Sequence, residues 1–175
     1  MIEGIETVAH LMNIAAITAP KTAGQDFVLT RIVTGEELKQ LGEAMLAYGV
    51  KTGKKRFDRD GNNVLKSEAV LLIGYKQPGV AGLNCGACGF VTCDALRAQV
   101  KAESEFKGPV CAYRLLDMGI ALGSAVKTAS LLNVDNRIMY RIGAAARAMG
   151  LVDWDFIMGI PLSVSAKSPY FDRPG

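Results

Sequence analysis

The stretch Ala69-Val70-Leu71-Leu72-Ile73-Gly74-Tyr75 decides the fold of this chain. It is a continuous apolar run of strand length, without polar residues alternating between the apolar ones. Such a run is typical of a strand that other elements cover on both faces. Segments with helical periodicity lie on both sides of it along the chain. We therefore expect a sheet flanked by helices.

Toward the N-terminus, the sequence predicts a helix, a strand and a second helix. Residues 3–18 carry apolar side chains at helical spacing, and Phe27–Val33 is rich in strand formers. The sequence Thr34-Gly35-Glu36-Glu37 is a capping-box pattern, which predicts a helix from Thr34 to about Tyr48. The polar stretch Lys51–Asn63 is predicted to be an exposed loop, either a solvated connection or a phosphate or partner contact.

Toward the C-terminus, the sequence predicts two helices, a strand and a tail. The helices are expected at Cys111–Leu132 and Asn136–Met149, the strand at Asp155–Val164, and an extended tail at Ser165–Gly175. A cysteine-rich segment lies between the two halves, with a short helix expected at Cys93–Glu103. The element order predicts the α+β class, with a metal module inserted into the fold.

Length and composition favour one cytoplasmic domain spanning residues 1–175. Half of the 175 residues are hydrophobic, which allows a sizeable core. The net charge of +3 is too small to indicate nucleic acid, and no apolar run is long enough to cross a membrane. The first residues lack the features of a signal peptide. We expect no nucleic-acid or membrane partner.

The single histidine excludes several kinds of site. His10 is the only histidine, so metal sites with two or three histidines are excluded within one chain. His10 lies in the first predicted helix, where we expect an ordinary helix residue rather than a catalytic one.

All four cysteines fall in one pattern, C-x2-C-x4-C-x17-C, formed by Cys85, Cys88, Cys93 and Cys111. Four thiolates suit an iron–sulfur cluster or a structural zinc ion. Three ligands on one compact loop and a distant fourth favour a [4Fe-4S] cluster, whereas structural zinc usually takes two C-x2-C pairs. The sequence thus predicts a [4Fe-4S] cluster, with zinc as the alternative.

Glycines and helix starts support this prediction. Gly82, Gly86 and Gly89 allow the backbone to wrap closely around a cluster. Cys93 and Cys111 both stand where a helix is expected to begin, and helix N-termini favour the negative charge of a thiolate cluster. Four nearby cations either screen the cluster or are ordinary surface charges: Arg97, Lys101, Lys107 and Arg114.

Residues 82–114 resemble the four-cysteine [4Fe-4S] domain of the Rnf complex B subunit and of the corrinoid iron–sulfur protein. The resemblance rests on Gly82, on Asn84-Cys85-Gly86-x-Cys88-Gly89, and on Cys93 and Cys111. It implies a cluster-binding module within the single domain.

The whole chain resembles a prokaryotic family described as "ferredoxin domain-containing". This resemblance rests on the cysteine loop, the Ala15–Gly24 stretch, Gly159–Ser163 and the Tyr170-Phe171-Asp172-Arg173 ending. The family has no assigned activity, so the resemblance implies the domain and not a reaction.

A further resemblance is to the nitroreductase fold, a flavin-binding α+β homodimer. It rests on residues 15–44 and on residues 117–151. It implies a homodimer and an FMN near Lys21–Asp26 and the tail. The arginine-rich opening that holds the flavin phosphate in that family is missing here. Four tail residues either bind a phosphate or carboxylate or are merely polar: Ser163, Ser165, Lys167 and Arg173.

Two functions are consistent with these observations. The first is an iron–sulfur redox protein that exchanges single electrons with a partner protein or a small molecule, with or without a flavin. The second is an interaction or assembly module in which the cluster or a zinc ion is only structural. The sequence identifies no catalytic residue and no substrate.

Overall fold

A computed structural model describes residues 3–171. It confirms the α+β class, with a sheet flanked by helices. The helices are α1 (Glu3–Thr18), α2 (Gly35–Thr52), α3 (Phe57–Leu65), α4 (Cys93–Arg97), α5 (Ala112–Leu131) and α6 (Tyr140–Ala148). The strands are β1 (Val28–Thr34), β2 (Ala69–Tyr75), β3 (Ala102–Glu103), β4 (Lys107–Gly108), β5 (Asp135–Asn136) and β6 (Phe156–Ser163). A short 3-10 helix occupies Thr22–Gly24.

The central sheet has four antiparallel strands in the order β1-β2-β6-β5. Val28 pairs with Tyr75 at one end of β1–β2, and Ala69 pairs with Leu162 at one end of β2–β6. The remaining two strands, β3 and β4, form a separate small hairpin. The stretch singled out in the sequence is thus an interior strand, with a neighbour on each side.

Every residue of β2 is buried, which confirms the prediction that the strand is covered on both faces. Leu71 and Ile73 pack into one apolar core with α1 and α5. Val70 and Leu72 pack into a second core with α2, α3 and α6. The sheet is therefore the middle layer between two helical layers.

Two glycines allow α6 to lie directly on β6. A Cβ atom added at Gly143 would overlap the backbone of Ile157, and one added at Gly159 would overlap the side chain of Ile142. The helix and the strand can approach this closely only because neither position carries a side chain.

The prediction of an exposed loop at Lys51–Asn63 was wrong. The loop spans only residues 53–56, because α2 continues to Thr52 and α3 begins at Phe57. Phe57 is fully buried, and Asp60 is buried as an ion pair with Arg59 and Arg141. The sequence of α3 looks like a loop because a charged residue, Asp60, occupies part of the buried face of the helix.

Other predicted boundaries also need correction. The helix expected at Cys93–Glu103 ends at Arg97, and the chain then enters the β3–β4 hairpin. The helix expected from Asn136 begins at Tyr140, because Met139 forms a backbone bridge to Gly159 of β6.

The predicted capping box at the start of α2 is confirmed only in part. Thr34 is the N-cap of α2, but its side chain makes no capping hydrogen bond. Glu37, the other half of the predicted box, pairs with Arg31 instead.

The tail is bent rather than extended, and Tyr170 is buried in the second core. Asp172 and Arg173 of the predicted tail lie outside the described residues. Within residues 3–171, no helix combines the length and apolar character that a membrane crossing requires.

Candidate metal centre

The four cysteines lie in the connection between β2 and α5. Cys85 is exposed, Cys88 and Cys93 are half-buried, and Cys111 is buried at the N-cap position of α5. All four are free thiols. The chain thus presents three thiols on an open loop and a fourth from the body of the fold.

The cysteine loop turns on residues in the left-handed backbone region. Gly82, Gly86 and Gly89 have φ angles of 78°, 73° and 87°. A Cβ atom added at any of the three would meet no atom within 4 Å, so backbone conformation and not crowding favours glycine here. The amide of Gly89 donates to the carbonyl of Gly86 over 2.9 Å, which closes a turn between Cys85 and Cys93.

Asn84 joins the start of the loop to its end. The Asn84 amide donates to Cys93 Sγ over 3.3 Å, and the Cys93 amide donates to Asn84 Oδ1 over 2.8 Å. Asn84 has a φ of 47°, a conformation that asparagine tolerates better than most residues. These two contacts hold the Cys93 sulfur beside the first turn of the loop. In the sequence, Asn84 is recognisable only as part of the cysteine motif, because its contact with Cys93 exists only in the folded loop.

Cys93 is the first residue of α4. Thr92 caps the helix, with its hydroxyl accepting a hydrogen bond from the Ala95 amide over 3.1 Å. The prediction that Cys93 and Cys111 stand at helix starts is therefore confirmed.

Cys111 faces a cavity of about 590 Å³. The connection after β2 contributes Val80 to its wall, and α4 contributes Leu96. Lys101 and Asp155 also line it as an ion pair, and Asp155 further accepts a hydrogen bond from the Gln77 amide over 3.1 Å. We call residues 82–111, which carry the four cysteines, the cysteine module. The cavity thus lies between this module and the end of the central sheet.

The structure does not gather the cysteines around a single ion. Among residues 3–171, no three His, Cys, Asp or Glu side chains form a group able to hold one metal ion. The ligands of a four-iron cluster bind separate iron atoms. The donor set contains only sulfur, the glycine-turned loop leaves open space, and the fourth thiol faces a cavity. These residues fit an iron–sulfur cluster.

The four nearby cations divide into two kinds. Arg97, Lys101 and Lys107 are at the module surface and pair with Asp94, Asp155 and Glu103 respectively. The Arg147 hydrogen bond to Glu103 is the main reason that the pKa of this carboxyl is lowered. Arg114 differs from the other three because its side chain is fully buried.

The polar side chains of the Lys21–Asp26 loop are engaged within the chain. Lys21 donates to the last carbonyls of α1, at Ala16 and Ile17, and pairs with Asp26 at 3.6 Å. Thr22 donates to Asp117 through both its amide and its hydroxyl. This loop therefore anchors α1 to α5.

Comparison with known proteins identifies the family. Residues 107–173 match the family model "Uncharacterized protein containing a ferredoxin domain (DUF2148)", and residues 81–105 match the model "Putative Fe-S cluster". An uncharacterized protein of Archaeoglobus fulgidus is 47% identical over 173 residues, covering 98% of this chain and 92% of the relative. The chain belongs to this ferredoxin-domain family. The predicted family membership is confirmed.

Solved structures show the fold of this ferredoxin-domain protein. The nitroreductase CinD from Lactococcus lactis, in complex with chloramphenicol, superposes with a TM-score of 0.63 at 15% identity, covering 98% of this chain and 83% of that one. The FMN-dependent nitroreductase NfnB from Mycobacterium smegmatis, in complex with NADPH, gives a TM-score of 0.61 at 12% identity, covering 97% and 85%. The expected nitroreductase-like fold is confirmed.

Proposed function

We propose that this protein is a one-electron redox protein carrying a [4Fe-4S] cluster, with Cys85, Cys88, Cys93 and Cys111 as its ligands. The observation that carries the proposal is the arrangement of four free thiols in one module, three on the exposed loop and the fourth facing the cavity. The family models matched by residues 81–105 and 107–173 support it.

The chain's own residues would supply binding and electrostatics. When bound, the cluster supplies a site that gains or loses one electron. The cysteine thiolates would hold it, and the Asn84 amide already donates to one of them. Hydrogen bonds and cations near the sulfurs favour the reduced form, because reduction adds negative charge.

Exposure of the loop suits electron exchange at the surface. Cys85 is exposed, and Leu83 and Val91 of the same loop are apolar and exposed as well. We propose that a redox partner protein or a small-molecule donor or acceptor exchanges electrons here. A reducing compartment such as the cytoplasm keeps the four thiols available.

Metal analysis tests this proposal directly. Anaerobically purified protein should contain about four irons and four acid-labile sulfides per chain, and its cluster should be reversibly reduced in an EPR-monitored titration. A colourless protein with one zinc per chain would overturn the proposal. A cluster that cannot be reduced, and whose loss unfolds the chain, would support the alternative of a structural module.

A second candidate is an oxidoreductase that also binds FMN, favoured by a cavity of about 390 Å³ beside the tail. Lys66, Lys167, Ser163 and Ser165 line it, together with Glu68. Ammonium and hydroxyl groups suit an FMN phosphate, and the structural neighbour NfnB is FMN-dependent. We assign the phosphate contacts to this cavity because the polar side chains of the Lys21–Asp26 loop already make hydrogen bonds and ion pairs within the chain.

Flavin release tests the second candidate. Heat or acid treatment of the purified protein should release a fluorescent flavin, and K167Q should retain less of it than wild type. K39Q, which removes an exposed lysine of α2, is the matched control and should retain the wild-type amount. Protein that contains the cluster but neither carries nor binds FMN would eliminate this candidate.

We further propose that the protein is a homodimer through the outer faces of α1 and α5. The outer face of α1 exposes Ile14 and Ile17, and that of α5 exposes Leu116 and Ile120. These helices pack against each other, so the exposed apolar side chains belong to adjacent surfaces. Apart from its own helix, a Cβ atom added at Gly119 would meet no atom of residues 3–171 within 4 Å. This glycine therefore leaves room for close helix packing that no described residue of another element fills, and a second copy would fit there.

A further inference from the structure

Arg114 is the largest fully buried side chain among the described residues, and it carries a charge. It lies in the first turn of α5, three residues after Cys111, which places the two residues on the same side of the helix. Its guanidinium donates to the side chain of Gln25 and packs over the ring of Phe27, 4.6 Å from the ring centre.

The partner of Arg114 is also buried. Asp117 Oδ2 accepts a hydrogen bond from Arg114 Nη1 over 3.1 Å, and both side chains are at least 96% buried. The other carboxylate oxygen of Asp117 accepts two hydrogen bonds from Thr22, at 2.8 Å and 2.7 Å. The pair is thus one full positive and one full negative charge, both removed from water.

Arg114 of this pair contacts the segment that leads into the cysteine loop. The guanidinium of Arg114 contacts the carbonyl of Val80 at 3.5 Å. Val80 lines the same cavity as Cys111 and precedes the cysteine loop. Arg114 therefore contacts one wall residue of this cavity from the protein interior, whereas Arg97, Lys101 and Lys107 line the cavity themselves.

Stability of the fold does not by itself account for this arrangement. A buried ion pair adds little stability compared with apolar side chains of similar volume, because desolvation offsets the attraction. Arg114 Nε is buried and has no hydrogen-bond partner, so the guanidinium is not fully compensated. Charges in such a low-dielectric place act over longer distances than exposed charges.

We propose that the Arg114–Asp117 pair sets the reduction potential of the cluster, an inference that rests on the proposed function. In this step a one-electron reductant would donate one electron to the cluster. No covalent bond would form or break, and no proton would be transferred. The positive charge of Arg114 stabilises the reduced state, and the negative charge of Asp117 offsets part of this effect. Arg114 is a positioning residue for charge and is not a ligand.

Charge-removing variants test this proposal through shifts of opposite sign. D117N leaves Arg114 without its carboxylate partner and should raise the midpoint potential. We expect a shift of about 59 mV, which for one electron corresponds to a tenfold change in the ratio of reduced to oxidised cluster. R114Q leaves Asp117 uncompensated and should lower the potential. The double variant R114Q/D117N should return close to the wild-type value.

Two controls separate charge from structure. K127Q removes one exposed charge from the same helix and should leave the potential unchanged. R114K keeps the charge without the planar fork and should also stay near the wild-type potential. The shift in D117N should persist in high salt, because buried charges are poorly screened.

The outcomes distinguish this inference from the proposed function. If wild-type protein holds no reducible cluster, the proposed function fails. If wild-type protein holds the cluster but D117N and R114Q shift its potential in the same direction, or not at all, the inference alone is overturned. If one single variant does not fold, the sign of the shift in the other decides.

Discussion

Asn84 shows how one residue can close a metal-binding loop. Its side chain accepts from the Cys93 amide, while its own amide donates to the Cys93 sulfur. We expect N84A to bind less iron than wild type, because alanine loses the acceptor and disfavours the left-handed backbone by about 1 kcal/mol. N84G restores the backbone but not the acceptor, so it should bind an intermediate amount.

Iron and sulfide per chain after anaerobic reconstitution measure this effect. The order wild type, N84G, N84A in decreasing content supports the role of the side chain. Full loading of N84A would show that the loop closes without Asn84.

Tyr170 should make stability depend on alkaline pH. Burial raises the pKa of Tyr170 to about 12 from 10.0, and its hydroxyl shares a hydrogen bond of 2.9 Å with Ser67. Because the pKa is raised, its stabilising contribution is complete below pH 10. It falls by about 1.4 kcal/mol per pH unit as the pH rises toward 12.

Urea unfolding of wild type and Y170F at pH 8 and pH 11 tests this dependence. Y170F should be about 1 kcal/mol less stable at pH 8, because it lacks the hydrogen bond. Its stability should then fall less than that of wild type at pH 11. Equal losses in the two proteins would contradict a buried, titrating Tyr170.

At the residue scale, the sequence predicts types of residue better than their contacts. The four cysteines could be predicted as a ligand set because their spacing alone indicates cluster chemistry, and the set stays a prediction. The roles of Asn84 and Arg114 could not be read in the same way. Arg114 contacts Gln25 and Val80, which are distant in sequence, and only the folded chain brings them together.

At the scale of elements, the contact of α6 with β6 depends on two glycines. We expect G143A to destabilise the fold by about 1–3 kcal/mol or more, because the new methyl group overlaps the backbone of Ile157. G4A, near the start of α1, adds a methyl group that meets no described atom outside its own helix within 4 Å and serves as the control. Thermal unfolding of both variants measures the difference, and an unchanged G143A would contradict the close packing.

The helix α3 shows why some elements escape prediction from sequence. Its buried face includes Asp60 and Gly61 next to Phe57 and Val64. An aspartate and a glycine look like turn residues in a sequence. The buried position of Asp60 depends on Arg141 of α6, which pairs with it at 2.9 Å and lies far away in the sequence. Elements with ordinary apolar periodicity, such as α1 and α5, were predicted nearly to their ends.

At the scale of the whole molecule, the exposed faces of α1 and α5 predict a dimer. We expect I120E to shift the protein toward the monomer, because a carboxylate would be buried where the second copy packs. V50E changes an exposed valine on α2 and should leave the oligomeric state unchanged. Light scattering after size exclusion measures both. A wild-type protein that is already monomeric would contradict the proposed interface.

The layered architecture was predictable because the sequence of one strand, β2, is apolar throughout. A strand that is apolar throughout requires cover on both faces, and the described chain provides α1 and α5 on one face and α2, α3 and α6 on the other. The strand order was not predictable, because β5 is only two residues long and its pairing with β6 is fixed by packing rather than by local sequence.

The module that holds the cysteines leaves and re-enters the body at one point. The Tyr75 hydroxyl at the end of β2 donates to the carbonyl of Arg114 in the first turn of α5. The exposed loop thiols lie outside both apolar cores. If the proposed cluster is bound in this module, we expect its loss on exposure to oxygen to leave both apolar cores folded.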